Sequence, residues 1–151
     1  MSWSTDLLYG LAEHLDAAGA ADWRPPPATY SAPYSGPAVF FRRLPDSPDA
    51  ALALSVYVSA PGIGDADTTV GVQLLWRGGT DPTSVDGYSD AAWELLHEAS
   101  GLVLGQPGHR VYTTRIWRQS TAALSTDPSG RWLRSDNYYV IASRPTIHRP
   151  D

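Results

Sequence analysis

Apolar positions along the 151-residue chain follow two different periods, and the switches between them mark the elements. Over residues 5–18, Leu7, Leu8, Leu11, Ala12, Leu15 and Ala18 recur at three- and four-residue spacing, while Asp6, Glu13 and Asp16 lie off that stripe. This is the pattern of an amphipathic helix, with Ser4 as the expected N-cap and Gly19 suited to its C′ position. From residue 51 to 58 the period drops to two: Leu52, Leu54, Val56 and Val58 face one way, Ala53, Ser55 and Tyr57 the other. Residues 68–77 repeat it, with Val70, Val72, Leu74 and Trp76 opposing Gly71, Gln73, Leu75 and Arg77. Both read as strands with one apolar face and a second face only partly polar, suited to a helix or another subunit.

The same reasoning places a short aromatic strand at 38–44 and two later strands near 109–119 and 131–143, the last two joined by an Asp127-Pro128-Ser129-Gly130 turn. A second helix opens at Asp81-Pro82, an acidic cap followed by proline at the first helical position. Its apolar positions are Val85, Tyr88, Ala92, Leu95, Leu96 and Ala99, with Gly101 expected to end it. The order α-β-β-β-α-β-β predicts an α+β fold in one domain spanning 1–151: a mixed, mainly antiparallel sheet with two helices packed on it. Two segments fit neither period. Residues 22–37 hold Pro25, Pro26, Pro27, Pro33 and Pro37, a density that forbids helix and sheet interior. They read either as an extended arm docking through Tyr30 and Tyr34 or as an ordinary long loop. Residues 59–68 are too long and polar for a tight hairpin turn and are expected to project as a mobile loop.

Composition narrows the function. Hydrophobic residues reach 42% with six Trp and eight Tyr, enough to fill a core, and Cys is absent, which removes disulfides and thiolate chemistry together. No apolar run is long enough to span a bilayer and no leader pattern opens the chain, so it is expected to be soluble and unexported. A net charge of −5, with every cationic side chain an Arg, argues against a nucleic-acid grip.

The catalytic patterns break on inspection. His14, His97, His109 and His148 lie in no ligand spacing, since Gly101 stands where the second histidine of an H-E-x-x-H motif belongs. Gly87-Tyr88-Ser89-Asp90 resembles a nucleophile elbow, but Ala91 replaces its last glycine and the segment falls inside the second helix, which makes Ser89 a helix-surface serine. Gly62-Ile63-Gly64 opens a dinucleotide fingerprint that Asp67 closes off. Asp65 and Asp67 are a weak divalent-cation pair on a solvated loop. No enzyme activity, cofactor or metal is expected.

Assembly offers more. Asp86, Asp90 and Glu94 form an acidic stripe along the second helix, either a solvated face or a seat for Arg side chains of a neighbouring copy. The candidate donors are Arg42, Arg43, Arg115, Arg118 and Arg134, some of which alternation places among large apolar residues, a costly site for an unpaired charge. The tryptophans suit either an interface or the core.

Several stretches carry a resemblance: WSTDLLYGLAEHL (3–15), LPDSPDAALALSVY (44–57), TTVGVQLLWRGGTDPTSVDGYSDAAWELLH (68–97), LVLG (102–105) and RSDNYYV (134–140). With the element order, they resemble the tail terminator or minor capsid proteins of long-tailed actinobacterial phages, over essentially the whole chain. That resemblance implies a virion structural protein: a homo-oligomeric, six-membered ring at the head-proximal end of the tail. The ring would stop polymerisation of the major tail tube protein and meet the head–neck connector, with assembly in the host cytoplasm. DNA would pass through its lumen without specific binding, and Ile63, Asp65 and Asp67 would face that lumen or the tube. Two other readings stand beside it: a neck connector ring component, and a monomeric binding module that uses the Tyr- and Pro-rich arm as a ligand clamp.

Overall fold

A computed structural model describes residues 2–61 and 67–148. Helix α1 (Trp3–Ala17) is followed by strands β1 (Ala38–Phe41), β2 (Ala51–Pro61) and β3 (Asp67–Arg77), helix α2 (Pro82–Leu96), and strands β4 (Ala99–Ser100), β5 (Val103–Leu104), β6 (Val111–Thr121), β7 (Ser125–Thr126) and β8 (Trp132–Ser143). The expected order holds, with three two-residue strands added. All eight strands share one sheet in the order β1-β2-β3-β8-β6-β4, with β5 on β6 and β7 on β8. Every pairing is antiparallel except β1 with β2.

Register explains the layering. Leu52 faces Trp76 and Leu54 faces Leu74 across β2–β3, and Val72 faces Tyr138 and Val70 faces Val140 across β3–β8. These side chains form one buried cluster with Leu7, Leu11 and Leu15 of α1 and Val85, Ala92 and Leu96 of α2. Both helices therefore cover the same face of the sheet. The opposite face carries Tyr57, Gln73, Leu75, Trp117, Asn137, Tyr139 and Ile141, all exposed or half-buried. Of the six tryptophans only Trp76 is fully buried, Trp93 is 39% exposed, and the other four are half-buried.

Several boundaries move for local reasons. The N-cap of α1 is Ser2, not Ser4: its hydroxyl accepts from the Thr5 N–H at 3.1 Å. Replacing Ser2 with alanine is expected to cost about 1 kcal/mol, while Ser4→Ala, inside the helix, stays within about 0.5 kcal/mol. Equal losses in urea denaturation would contradict this cap. Asp81 caps α2 as expected, accepting from the Thr83 N–H at 2.9 Å. Helix α2 stops at Leu96 rather than Gly101, because His97 turns extended and Glu98 takes a φ of 62°. Strand β1 ends at Phe41, where Arg42 adopts a φ of 74° and the chain turns back.

Strands β2 and β3 run further than their apolar alternation, so residues 59–61 and 67–68 belong to them rather than to a projecting loop. The connection between them, with Ile63 and Asp65, lies outside the described residues. One close approach fixes α1 against the sheet's far edge: a Cβ on Gly10 would stand 2.6 Å from Leu104 Cβ, so only glycine lets helix and β5 meet here.

Candidate functional site

The proline-rich segment shows how this chain spends its aromatic and charged residues. Asp22 leaves α1's end and bridges to Ala38 at the start of β1, with Asp22 N–H donating to the Pro37 carbonyl and Val39 N–H to the Asp22 carbonyl. Arg24 forms a fork on the Asp22 carboxylate at 3.1 and 3.0 Å and also donates to the Pro33 carbonyl at 2.8 Å. The Tyr30 hydroxyl donates to the Val39 carbonyl at 2.7 Å and accepts from the Arg24 N–H at 3.2 Å. The Arg24 guanidinium lies over the rings of Tyr30 and Tyr34, which stack on each other at 6.4 Å. The segment is thus a closed loop tied to its own sheet edge, not an extended arm. Tyr30 is committed within the chain, while Tyr34 stays 37% exposed.

Burial alone would raise the Asp22 pKa, but hydrogen bonds from Arg24 and the Ser35 N–H, with the Arg24 charge, hold it below its ordinary 3.8. A depressed carboxylate stabilises the fold above 3.8 and loses that contribution as pH falls through its folded pKa. A carboxyl NMR titration of Asp22 should give a midpoint below 3.8, rising in an Arg24→Ala variant. A midpoint at or above 3.8 in the native protein would contradict the fork.

This loop, β1 and the 45–48 turn enclose a concavity of about 470 Å³ walled by Tyr9, Trp23, Tyr30, Tyr34, Phe40 and Pro48. Tyr9, Trp23 and Phe41 form its floor, their ring centroids 5.1 to 5.3 Å apart. The Trp23 indole Nε1 is buried without an acceptor among the described residues.

The acidic stripe divides. Asp86 is taken within the chain: Arg134 Nη1 donates to its Oδ1 at 2.8 Å. Arg134 Nε also donates to Asp136 Oδ1 at 3.3 Å. Arg134, at 15% side-chain exposure, thus bridges two carboxylates of its own chain, Asp86 and Asp136. Asp90 and Glu94 stay exposed on the outer side of α2. Arg42 and Arg43 are exposed after β1, and Arg115 is exposed with only a loose 3.8 Å pairing to Glu98. Arg118 lies 5.9 Å over the Trp93 ring, and its Nη1 is buried without a partner among the described residues. Of the expected lumen residues only Asp67 is described, exposed at the start of β3 opposite Ser143.

Asp136 is the residue that the sequence reading missed, and Ser89 the one it misplaced. Asp136 is 0% exposed and accepts from four side chains: Trp76 Nε1 at 3.2 Å, Thr121 Oγ1 at 2.6 Å, Arg134 Nε at 3.3 Å, and Ser89 Oγ. Ser89 is therefore buried under α2 rather than on its surface. A signal existed: Ser89 stands four residues after Val85 and three before Ala92, on the apolar face, and Asp136 shares the inward phase of Tyr138 and Val140. His97 is likewise not a plain surface histidine, since its Nδ1 accepts from the Arg118 N–H at 3.0 Å and its ring stacks on Trp93 at 4.9 Å. Among the described residues no three His, Asp or Glu side chains converge as a metal site.

Asp136 thus staples α2 to the sheet, through Ser89 on the helix and Trp76 and Arg134 on the strands. The family described as bacteriophage tail terminator protein matches residues 14–144. The chain belongs to the bacteriophage tail terminator family.

It is a tail structural protein of that family, one not known as an enzyme class, and a virion-associated one. A chain of the virion of a native gene transfer agent particle has the same fold at a TM-score of 0.51 and 14% identity, over 70% of this chain and 78% of that one. No curated protein matches the sequence. For a terminator, the surfaces to weigh are those left unsatisfied by the subunit itself: the helix-free sheet face, the exposed Asp90 and Glu94, Arg42, Arg43 and Arg115, and the aromatic concavity. No described helix is long and apolar enough to cross a membrane.

Proposed function

We propose that this chain assembles into a homo-oligomeric ring, a hexamer, on the head-proximal end of a completed tail tube. There it arrests further addition of the major tail tube protein and offers its outer face to the head–neck connector. The observation that carries this reading is the terminator-family match over residues 14–144. A ring of identical head-to-tail contacts is the natural way for one small domain to close a tube, and each contact needs roughly 1,200–2,000 Å² of buried area. The sheet face bearing Tyr57, Leu75, Trp117 and Tyr139, with no helix over it, is apolar enough to contribute.

Within the acidic stripe, Asp90 and Glu94 remain the groups for a neighbour's Arg42, Arg43 or Arg115, since Asp86 is paired with Arg134 of its own chain. The 62–66 connection, with Asp65 and the adjoining Asp67, is assigned to the lumen or the tube. An acidic lining there lets DNA pass without adhering.

The test is arrest of tube growth. Tail tube protein from the parent phage, polymerising in vitro, should stop lengthening when this chain is added at about one ring per tube end. Tubes that keep growing would remove the terminator role and leave the neck position as the alternative.

A further inference from the structure

The aromatic concavity has a counterpart elsewhere on the chain. Strand β8 ends at Ser143, and Arg144 lies 4.9 Å over the Trp3 ring, fixing the root of the C-terminal segment beside the start of α1. Three residues on, Ile147 is 93% exposed, the most exposed large apolar side chain among the described residues. A branched aliphatic side chain so placed gains nothing from its own subunit. The concavity presents Trp23, Tyr30, Tyr34, Phe40 and Pro48, the type of aromatic wall that receives extended proline-containing segments, and Ile147 follows Pro145 by two residues.

Knob and hole also sit at different levels of the sheet. Ser143 is level with Asp67, whereas Phe41 is level with Leu54, Leu74 and Asp136. Because the two patches are distinct, a contact between them can run head to tail, each copy giving its segment to one neighbour and receiving one from the other, the arrangement that a ring requires.

We infer that the segment around Ile147 of one copy seats in the Trp23–Tyr34–Phe40 concavity of the next, as a strap around the ring. This rests on the ring reading of the previous section and adds which surfaces meet.

The absence of cysteine makes the test direct. Phage particles would be prepared with the double variant Ile147→Cys/Tyr34→Cys, both at exposed positions, and with each single variant; Ile147→Cys/Ala28→Cys supplies a second pair on the same rim. Infectious titre reports that the protein folds and assembles. Mild oxidation of purified particles should give a ladder of covalent dimers, trimers and larger species in both double variants, and none above dimer in the singles. Infectious particles holding several copies of the protein but no ladder in either pair would overturn the strap while leaving the ring intact. Cross-links from Ile147→Cys to any other virion protein would also overturn it. Particles that hold the protein as a single copy, or lack it, would remove the ring itself and the strap with it.

Discussion

Replacing Asp136 with alanine is expected to lower the melting temperature by about 10 °C, the largest loss from any single side chain outside the apolar core. The carboxylate is fully buried and accepts from Trp76, Ser89, Thr121 and Arg134, so its removal strands the buried Trp76 and Ser89 donors and takes one acceptor each from Thr121 and Arg134. The Arg134 guanidinium, held at 15% side-chain exposure, would keep only Asp86 as counter-charge. Breaking such a pair typically costs about 3–5 kcal/mol, because the surviving charge stays buried. Asp136→Asn should lose clearly less, since its amide oxygen still accepts. Thermal unfolding by circular dichroism decides it, and an alanine variant within about 2 °C of the native protein would refute the network's role.

Truncation of Trp76 to alanine should be comparably damaging, at about 3–5 kcal/mol. It is the largest fully buried side chain, paired across the sheet with Leu52 and 6.2 Å from the ring of Tyr88 on α2. Its loss opens a cavity at the junction of α2 and the sheet and takes one donor from Asp136. The two effects share a partner, so the double variant Trp76→Ala/Asp136→Ala should cost less than the sum of the singles. A strictly additive result in chemical denaturation would mean that the Trp76 indole N–H contributes nothing through Asp136.

These two residues also show what was legible beforehand. Trp76 could be placed because period two is local: Val70, Val72, Leu74 and Trp76 announce their own face. The Asp81-Pro82 start of α2 is equally local, resting on a cap and a missing N–H within two residues. Asp136 and Ser89 were not read because their partnership spans 47 positions and only the packing of α2 on β8 creates it. The parallel pairing of β1 with β2 depends on a turn-back at Arg42 that no hydrophobic pattern encodes. The proline-rich segment was readable as irregular from proline density. Its closure by Arg24, Asp22 and Tyr30 was not, since hydrogen-bond partners nine residues apart leave no period.

The interface candidates sort the same way. Charge spacing along α2 correctly grouped Asp86, Asp90 and Glu94 on one helix, but it could not tell that Asp86 answers Arg134 of its own chain at 2.8 Å. Arg134 had to be paired somewhere, given its inward phase, and the fold meets that need internally. What the chain leaves for the proposed neighbour is the remainder: exposed charge on α2 and after β1, an uncovered sheet face, and one aromatic concavity.

The central claim is that this chain ends the tail, and interrupting its gene in the parent phage tests that most directly. Negative-stain microscopy of the lysate should show overlong, headless tails beside filled, tailless heads. Tails of normal length lying loose beside leaking heads, or intact particles, would contradict the account.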